Sequence, residues 1–170
     1  MRIHLDGRAR LLGDDINTDY IIASTRKKAT LDESLLKQYL LETVDPSFAA
    51  SVRPGDILVA GRNFGCGSAM EIAATVILAA GIRAVVATTF ARTFYRNAIN
   101  NGLIPIECDT IGIQEVEMIV IDVDDAGARL TRASGEVRVA ASLPPVMLKI
   151  LDAGGLVDFV RQSGRSLRTG

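Results

Sequence analysis

The chain has 170 residues, 48% of them hydrophobic, and its 19 basic and 20 acidic side chains leave a net charge of −1. Its apolar content is Ala, Val, Ile and Leu rather than aromatic, with no Trp, five Phe and three Tyr. This excludes an intrinsically disordered chain and a strongly basic nucleic-acid binder, and the length suits a single globular unit. Residues 1–12 read as a strand, with Ile3 and Leu5 alternating with polar neighbours. Residues 13–19, Gly-Asp-Asp-Ile-Asn-Thr-Asp, read as a loop dense in side chains that hydrogen-bond their own backbone. Tyr20 to Ala23 is a short apolar element, and the basic run Arg26-Lys27-Lys28 follows it. A helix capped by Thr30 or Asp32 carries Leu31, Leu35, Leu36, Tyr39 and Leu40 at helical spacing and ends at Asp45-Pro46. Arg53-Pro54-Gly55-Asp56 is a turn that feeds a strand from Ile57 to Ala60.

The middle third alternates strand and helix. A helix is predicted from about Ser68 to Ala80, stopped by Gly81, then a buried strand Val85 to Ala87. A second helix over residues 90–101 stops at Gly102, and Leu103 to Ile106 is a third apolar strand. That order predicts α/β architecture with central parallel βαβ units. Met118–Val123, Ala128–Leu130 and Val137–Ala140 are short strands split by Asp- and Gly-containing turns, which predicts an antiparallel meander. Pro144-Pro145 opens a final short helix ended by Gly154-Gly155, and residues 163–170 read as a frayed, flexible tail.

Two cysteines, Cys66 and Cys108, and one histidine, His4, are too few for a four-cysteine iron–sulfur or zinc site in this chain. His4 has no partner in reach along the sequence, so no metal site and no chemistry is assigned to it. So few cysteines fit a reducing cytoplasm better than a disulfide framework. The first residues lack an apolar stretch of signal-peptide length. The longest Ala-rich run, Ala69 to Ile82, contains Glu71 and falls short of the ~20 residues of a membrane span.

The most informative segment runs from Gly61 to Glu71: Gly-Arg-Asn-Phe-Gly-Cys-Gly-Ser-Ala-Met-Glu. It joins the end of a strand to the start of a helix, where open α/β sheets place ligands. Gly65 and Gly67 let the Gly65-Cys66-Gly67 backbone approach a bound anion, and the helix start adds positive potential. Ser68 with Glu71 three residues on is equally a capping box, which explains both residues without catalysis. The spacing is neither a dinucleotide fingerprint nor a P-loop. The Cys66 side chain reads as packing rather than as a nucleophile, and Cys108 as core or strand end. Arg92 and Arg96, one turn apart, either pair with carboxylates or face a partner.

Four ordered segments carry a family resemblance. They are Gly13-Asp14-Asp15-Ile16-Asn17-Thr18-Asp19, Gly61 to Ser68, the run from Phe90 to Leu103, and Leu143-Pro144 with Ile150 to Leu156. Together they resemble the small subunits of 3-isopropylmalate dehydratase, the swivel-domain members of the aconitase superfamily. The resemblance implies a swivelling β/β/α domain over residues 1–162 and a separate large subunit that binds a [4Fe–4S] cluster. It also implies that the swivel domain supplies a serine, at Ser68 here, which removes a proton from the carbon next to the substrate hydroxyl. Capping and catalysis by Ser68 need not exclude each other.

The sequence departs from the pattern directly after that serine. The family usually continues Ser-Arg-Glu-His-Ala, whereas here Ala69-Met70-Glu71-Ile72-Ala73 follows. Met70 thus stands where an arginine would grip a substrate carboxylate, which leaves a shifted substrate, a cation from elsewhere, or lost activity. The resemblance places Arg26, Lys27 and Lys28 in the loop that contacts the variable part of the substrate. Lys27 or Lys28 is the candidate carboxylate ligand, and a solvated charge run is the alternative. The implied function is an aconitase-type hydro-lyase subunit acting on a small hydroxy-dicarboxylic acid, isopropylmalate first. Homoaconitate, methylmalate or dimethylmalate chemistry, or a non-catalytic binding module, are the alternatives. The expected partner is the large cluster-bearing subunit, not nucleic acid or membrane.

Overall fold

The computed structural model describes residues 2–166. Strand β1 (Ile3–Leu11) leads to three short helices, α1 (Thr18–Ile21), α2 (Ser24–Ala29) and α3 (Glu33–Leu36), the last continued by a 3₁₀ turn over Lys37–Tyr39. Then come α4 (Phe48–Ser51), β2 (Ile57–Ala60), α5 (Glu71–Ala79), β3 (Ala84–Ala87), α6 (Arg92–Asn101) and β4 (Ile104–Glu107). A meander of β5 (Met118–Asp124), β6 (Gly127–Thr131) and β7 (Val137–Ala140) follows, and α7 (Pro145–Asp152) and α8 (Leu156–Ser166) close the chain. The strands form one mixed sheet in the order β4-β3-β2-β1-β5-β6-β7.

β1 is the hinge of that sheet. Its first residues pair antiparallel with β5, from Ile3 opposite Val123 to Arg8 opposite Met118. Its last three pair parallel with β2 on the other edge, from Ala9 opposite Ile57 to Leu11 opposite Val59. Strands β2, β3 and β4 continue the parallel part. The sequence pattern explains the division. β2 and β3 are unbroken apolar runs with every residue buried, as a parallel sheet covered on both faces requires. β5 and β6 instead alternate buried and accessible residues, as antiparallel strands with one covered face do.

Each face of the parallel part has its own core. Leu58, Ala60, Val85 and Ala87 pack against α5, α6 and the short helices through Ala73, Ile77, Phe94, Leu36 and Ile21. On the other face Ile57, Val59, Ala84 and Val86 meet Ile119, Ile121 and Leu130 of the meander and Leu148 of α7. The sheet curls far enough for Ala141 N–H, just past β7, to donate to the Glu107 carbonyl of β4 at 2.9 Å.

Three expectations are corrected. Tyr20 lies in a helix, and Arg26, Lys27 and Lys28 lie on α2 rather than in a loop, because Asn17 caps α1 through Asp19 N–H and the chain turns again directly after it. The helix that follows is capped by Asp32, one of the two expected caps, which accepts from Ser34 N–H, but it gives way to the 3₁₀ turn after Leu36 instead of running to Asp45. Residues 163–166, read as tail, belong to α8, whose Phe159 packs on the core cluster. Residues 167–170 lie outside the described residues.

A buried charge cluster fixes β1 beside the turn before β2. Asp56, 2% exposed, accepts from Arg8 Nε at 2.8 Å and Nη2 at 2.7 Å, from Arg10 Nη1 at 3.3 Å and from Arg53 N–H at 2.9 Å. Arg10, 6% exposed, also donates to Glu115 and Ser51 and lies over the Phe48 ring. Burial alone would raise the Asp56 pKa, but the hydrogen bonds and charges of Arg8 and Arg10 and the Arg53 N–H hold it below the ordinary value of 3.8. A lowered carboxylate pKa stabilises the fold above the unfolded value, and the contribution is lost as pH falls through the folded one. Asp56→Asn should cost about 3–5 kcal/mol at neutral pH in denaturant unfolding. Its deficit relative to wild type should shrink as the pH drops below about 4. An unchanged deficit at about pH 2 would show that packing, not the carboxylate charge, holds the cluster.

Candidate functional site

Three loops meet at the carboxyl ends of β1, β2 and β3, where a parallel sheet presents ligand sites. The loop after β1 and the loop after β2 are laced together along their length. Asp15 N–H donates to the Arg62 carbonyl at 2.8 Å, Gly65 N–H to Ile16 at 2.8 Å, and Thr18 N–H to Cys66 at 2.8 Å. Side chains reinforce the seam: Asp14 accepts from Arg62 N–H at 2.7 Å and Asp15 from Asn63 Nδ2 at 2.9 Å. The Arg62 N–H bond is the main reason the Asp14 carboxyl sits below the ordinary aspartate value. Beneath the seam, the fully buried Phe64 ring meets Phe94 edge-on at 5.0 Å and Phe90 at 5.9 Å. Phe64 is also tied to the third loop, donating to Thr89 and accepting from Ala91.

Ser68 is not a helix cap. α5 begins at Glu71 with Met70 at its cap position, and no side chain caps it. The reason is long-range. Thr18 Oγ1 donates to the Ser68 carbonyl at 3.0 Å while Thr18 N–H holds Cys66, and Asn17 and Cys66 form a parallel bridge. Cys66 is therefore held in the bridge and the chain bends through Gly67 and Ser68, so the helix starts only beyond them. Ser68 is exposed, and among the described residues its hydroxyl has no hydrogen-bond partner. The backbone N–H groups of Gly67, Ser68 and Ala69 likewise have no protein acceptor among the described residues.

The two glycines serve packing as well as access. Gly65 (φ +80°) lies where a Cβ would enter the Phe94 ring, and Gly67 (φ +91°) where it would strike the Asn17 side-chain amide. Gly65→Ala should destabilise the fold by about 2 kcal/mol or more, from overpacking and a left-handed backbone together. Thermal or denaturant unfolding checks this, and an unaltered midpoint would show that the loop yields freely.

The three predicted cations have different surroundings. Arg26 is committed to Glu42 in a two-point pair at 2.8 and 3.1 Å and stacks on Tyr39 at 3.8 Å. Lys28 is exposed and has no partner among the described residues. Lys27 points inward: its side chain is 7% exposed, and Nζ lies 3.1 Å from Asp19 Oδ1 and 2.7 Å from Met70 Sδ. Hydrogen bonds from Ser24 Oγ and then Lys27 hold the Asp19 carboxyl below the ordinary value. So Lys27, Met70 and Ser68 share one neighbourhood, and Arg26 is turned to a different partner. Sequence reasoning missed Thr18 and Asp19, whose roles depend on segments distant along the chain. The dense Asn-Thr-Asp run was their signal, but it reads locally as turn chemistry.

Other candidates lie apart. Cys66 is half-buried in the loop, whereas Cys108 is buried in the core beneath the meander, where burial pushes its thiol pKa up. His4 pairs with Asp122 at 2.8 Å between β1 and β5. Arg92 and Arg96, expected either to pair with carboxylates or to face a partner, form no ion pair among the described residues. No cluster of three or more Cys, His, Asp or Glu able to hold a metal occurs among the described residues. No helix among them is long and apolar enough to cross a membrane.

The sequence profile of the aconitase C-terminal domain matches residues 15–110. The chain is 43% identical over 166 residues to 3-isopropylmalate dehydratase small subunit 1 of Methanopyrus kandleri, covering 96% of each. It is 40% identical over 163 residues to the isopropylmalate/citramalate isomerase small subunit of Methanocaldococcus jannaschii, covering 95% of this chain and 96% of that one. The crystal structure of a 3-isopropylmalate dehydratase (LeuD) from Methanocaldococcus jannaschii superposes with a TM-score of 0.89 at 36% identity, covering 99% of this chain and all of the other.

Proposed function

This chain belongs to the aconitase C-terminal domain family, among the 3-isopropylmalate dehydratase small subunits, and from that membership we propose how it works. It is a hydro-lyase subunit that pairs with a large subunit and interconverts 2- and 3-isopropylmalate by dehydration and rehydration. The swivel domain extends through α8. Ser68 moves the proton. Its Oγ, as the alkoxide, takes the proton from the carbon beside the hydroxyl-bearing one; that C–H electron pair becomes the double bond, and hydroxide leaves. Rehydration returns hydroxide and proton to exchanged carbons. The observation that carries this reading is the exposed Ser68 hydroxyl, unpartnered among the described residues, held by its carbonyl on Thr18 just ahead of α5. Unused loop N–H groups from Gly67 to Ala69 and the positive end of α5 favour an anion there, whether the alkoxide or a substrate carboxylate on the Gly65-Cys66-Gly67 backbone.

The [4Fe–4S] cluster expected of the pair does not fit this chain's donors, since Cys66 and Cys108 occupy separate parts of the fold, so it is assigned to the large subunit. The two free cysteines suit a cytoplasmic protein. One observation favours a related acid as the alternative substrate: Met70 offers no N–H where a carboxylate would be gripped. A relative is itself named an isopropylmalate/citramalate isomerase subunit.

Reconstitution with the large subunit tests the proposal. Ser68→Ala should lower kcat about 10²–10⁴-fold with a much smaller change in KM. Because the hydroxyl bonds to nothing among the described residues, unfolding stability should stay within about 0.5 kcal/mol of wild type. Near-normal kcat in a folded Ser68→Ala complex would remove Ser68 as the base. The chain alone should show no turnover, and activity without the partner would overturn the two-subunit reading.

A further inference from the structure

We infer that Thr18 is a positioning residue for the reaction: by holding the Ser68 carbonyl it stops Ser68 from capping α5 and so keeps the serine hydroxyl free to move a proton. The inference deepens the dehydratase reading and rests on it. Nothing local prevents the cap. Ser68 and Glu71 have the residue types and spacing of a capping box, in which the serine hydroxyl accepts from the N–H three residues on and the glutamate reaches back to the serine N–H. Yet every group of that box is idle. The Ser68 hydroxyl and N–H and the Glu71 N–H and carboxylate have no hydrogen-bond partner among the described residues, and α5 starts at Glu71 with no side-chain cap.

The group that keeps the box apart is Thr18. A cap residue's carbonyl takes the first intrahelical bond, which for Ser68 would come from the N–H of Ile72. In this fold that carbonyl instead accepts from Thr18 Oγ1 at 3.0 Å. Thr18 is firmly placed to hold it. The residue is 2% exposed, so its hydroxyl needs a protein acceptor. Its N–H is spent on the Cys66 carbonyl at 2.8 Å, and its own carbonyl accepts from Ile22 N–H at 3.1 Å. The two donors of one residue thus pin Cys66 and Ser68, and the chain bends between them at Gly67, where φ is +91°.

The test uses the full chain reconstituted with its large subunit, with 3-isopropylmalate as substrate. Thr18→Val keeps the shape of the side chain, removes the hydroxyl and releases the Ser68 carbonyl to the helix. The fraction of molecules with a free serine falls, so kcat should drop about 5–50-fold while KM changes less than about threefold. Thr18→Ser returns the donor and should bring kcat back to within about threefold of wild type. A second arm removes the competitor instead of the holder. Glu71→Pro leaves no N–H for the serine hydroxyl to accept, and proline suits the first position of α5 after the extended Met70 (φ −134°, ψ 114°). Alone, Glu71→Pro should leave kcat near wild type. Added to Thr18→Val it should recover most of the lost activity, a rescue that simple loosening of the fold does not give. A Thr18→Val complex with undiminished kcat, an equal loss in Thr18→Ser, or no recovery on adding Glu71→Pro would each overturn the inference. Amide hydrogen exchange in the full chain reads the same event without turnover: Glu71 N–H should exchange freely in wild type and become protected in Thr18→Val. A protected Glu71 N–H in wild type would reject Thr18 even if Thr18→Val fails to fold. A wild-type complex that turns over no hydroxy acid would defeat the dehydratase reading instead, and the exchange measurement would still judge Thr18.

Discussion

The Asp56 carboxylate lets the first strand carry two arginines into the body of the protein. Arg10 in particular is almost wholly enclosed, and an enclosed guanidinium without an anion would cost several kcal/mol. With Asp56 beneath it, Glu115 beside it and the Phe48 ring against it, β1 can pair along both edges at once. That double pairing joins the parallel and antiparallel parts and sets the exit direction of the chain after Leu11. The loop after β1 then runs alongside the loop after β2 and zips onto it from Gly13 to Thr18.

The zip has a chemical consequence at its far end. A serine followed three residues later by glutamate would ordinarily fold its hydroxyl back onto the helix N-terminus, and a hydroxyl used that way is a poor base. Here Thr18 competes for the Ser68 backbone and wins, because its own side chain is buried and its hydroxyl needs an acceptor. The helix start is postponed to Glu71. The serine hydroxyl stays available, and the intervening N–H groups remain unspent. A local capping preference of about 1 kcal/mol is small enough for such tertiary bonds to override.

This also marks where the sequence was legible. Unbroken runs such as Ile57 to Ala60 and alternating ones such as Met118 to Val123 announced the two kinds of sheet, because burial on both faces and on one face leave different patterns. Helices bounded by Gly81 and Gly102 were placed to within a few residues. The short helices α1, α2 and α4 were missed, since four to six residues are too few to display a period. α8 was not assigned, and its last residues, from 163 on, read as a fraying end until the core under Phe159 is known. The glycine loop itself was found from its composition. The state of Ser68 was not, because the deciding bond joins residues 50 apart in the chain.

The same limit applies to the basic run, with a different lesson. Arg26, Lys27 and Lys28 are indistinguishable as neighbours in a sequence, and what separates them is what other segments bring: Glu42 and Tyr39 to the first, Asp19 and Met70 to the second, water to the third. The partners that separate them come from residues 16 and 43 positions away along the chain, Glu42 for Arg26 and Met70 for Lys27, so no local charge pattern distinguishes the three.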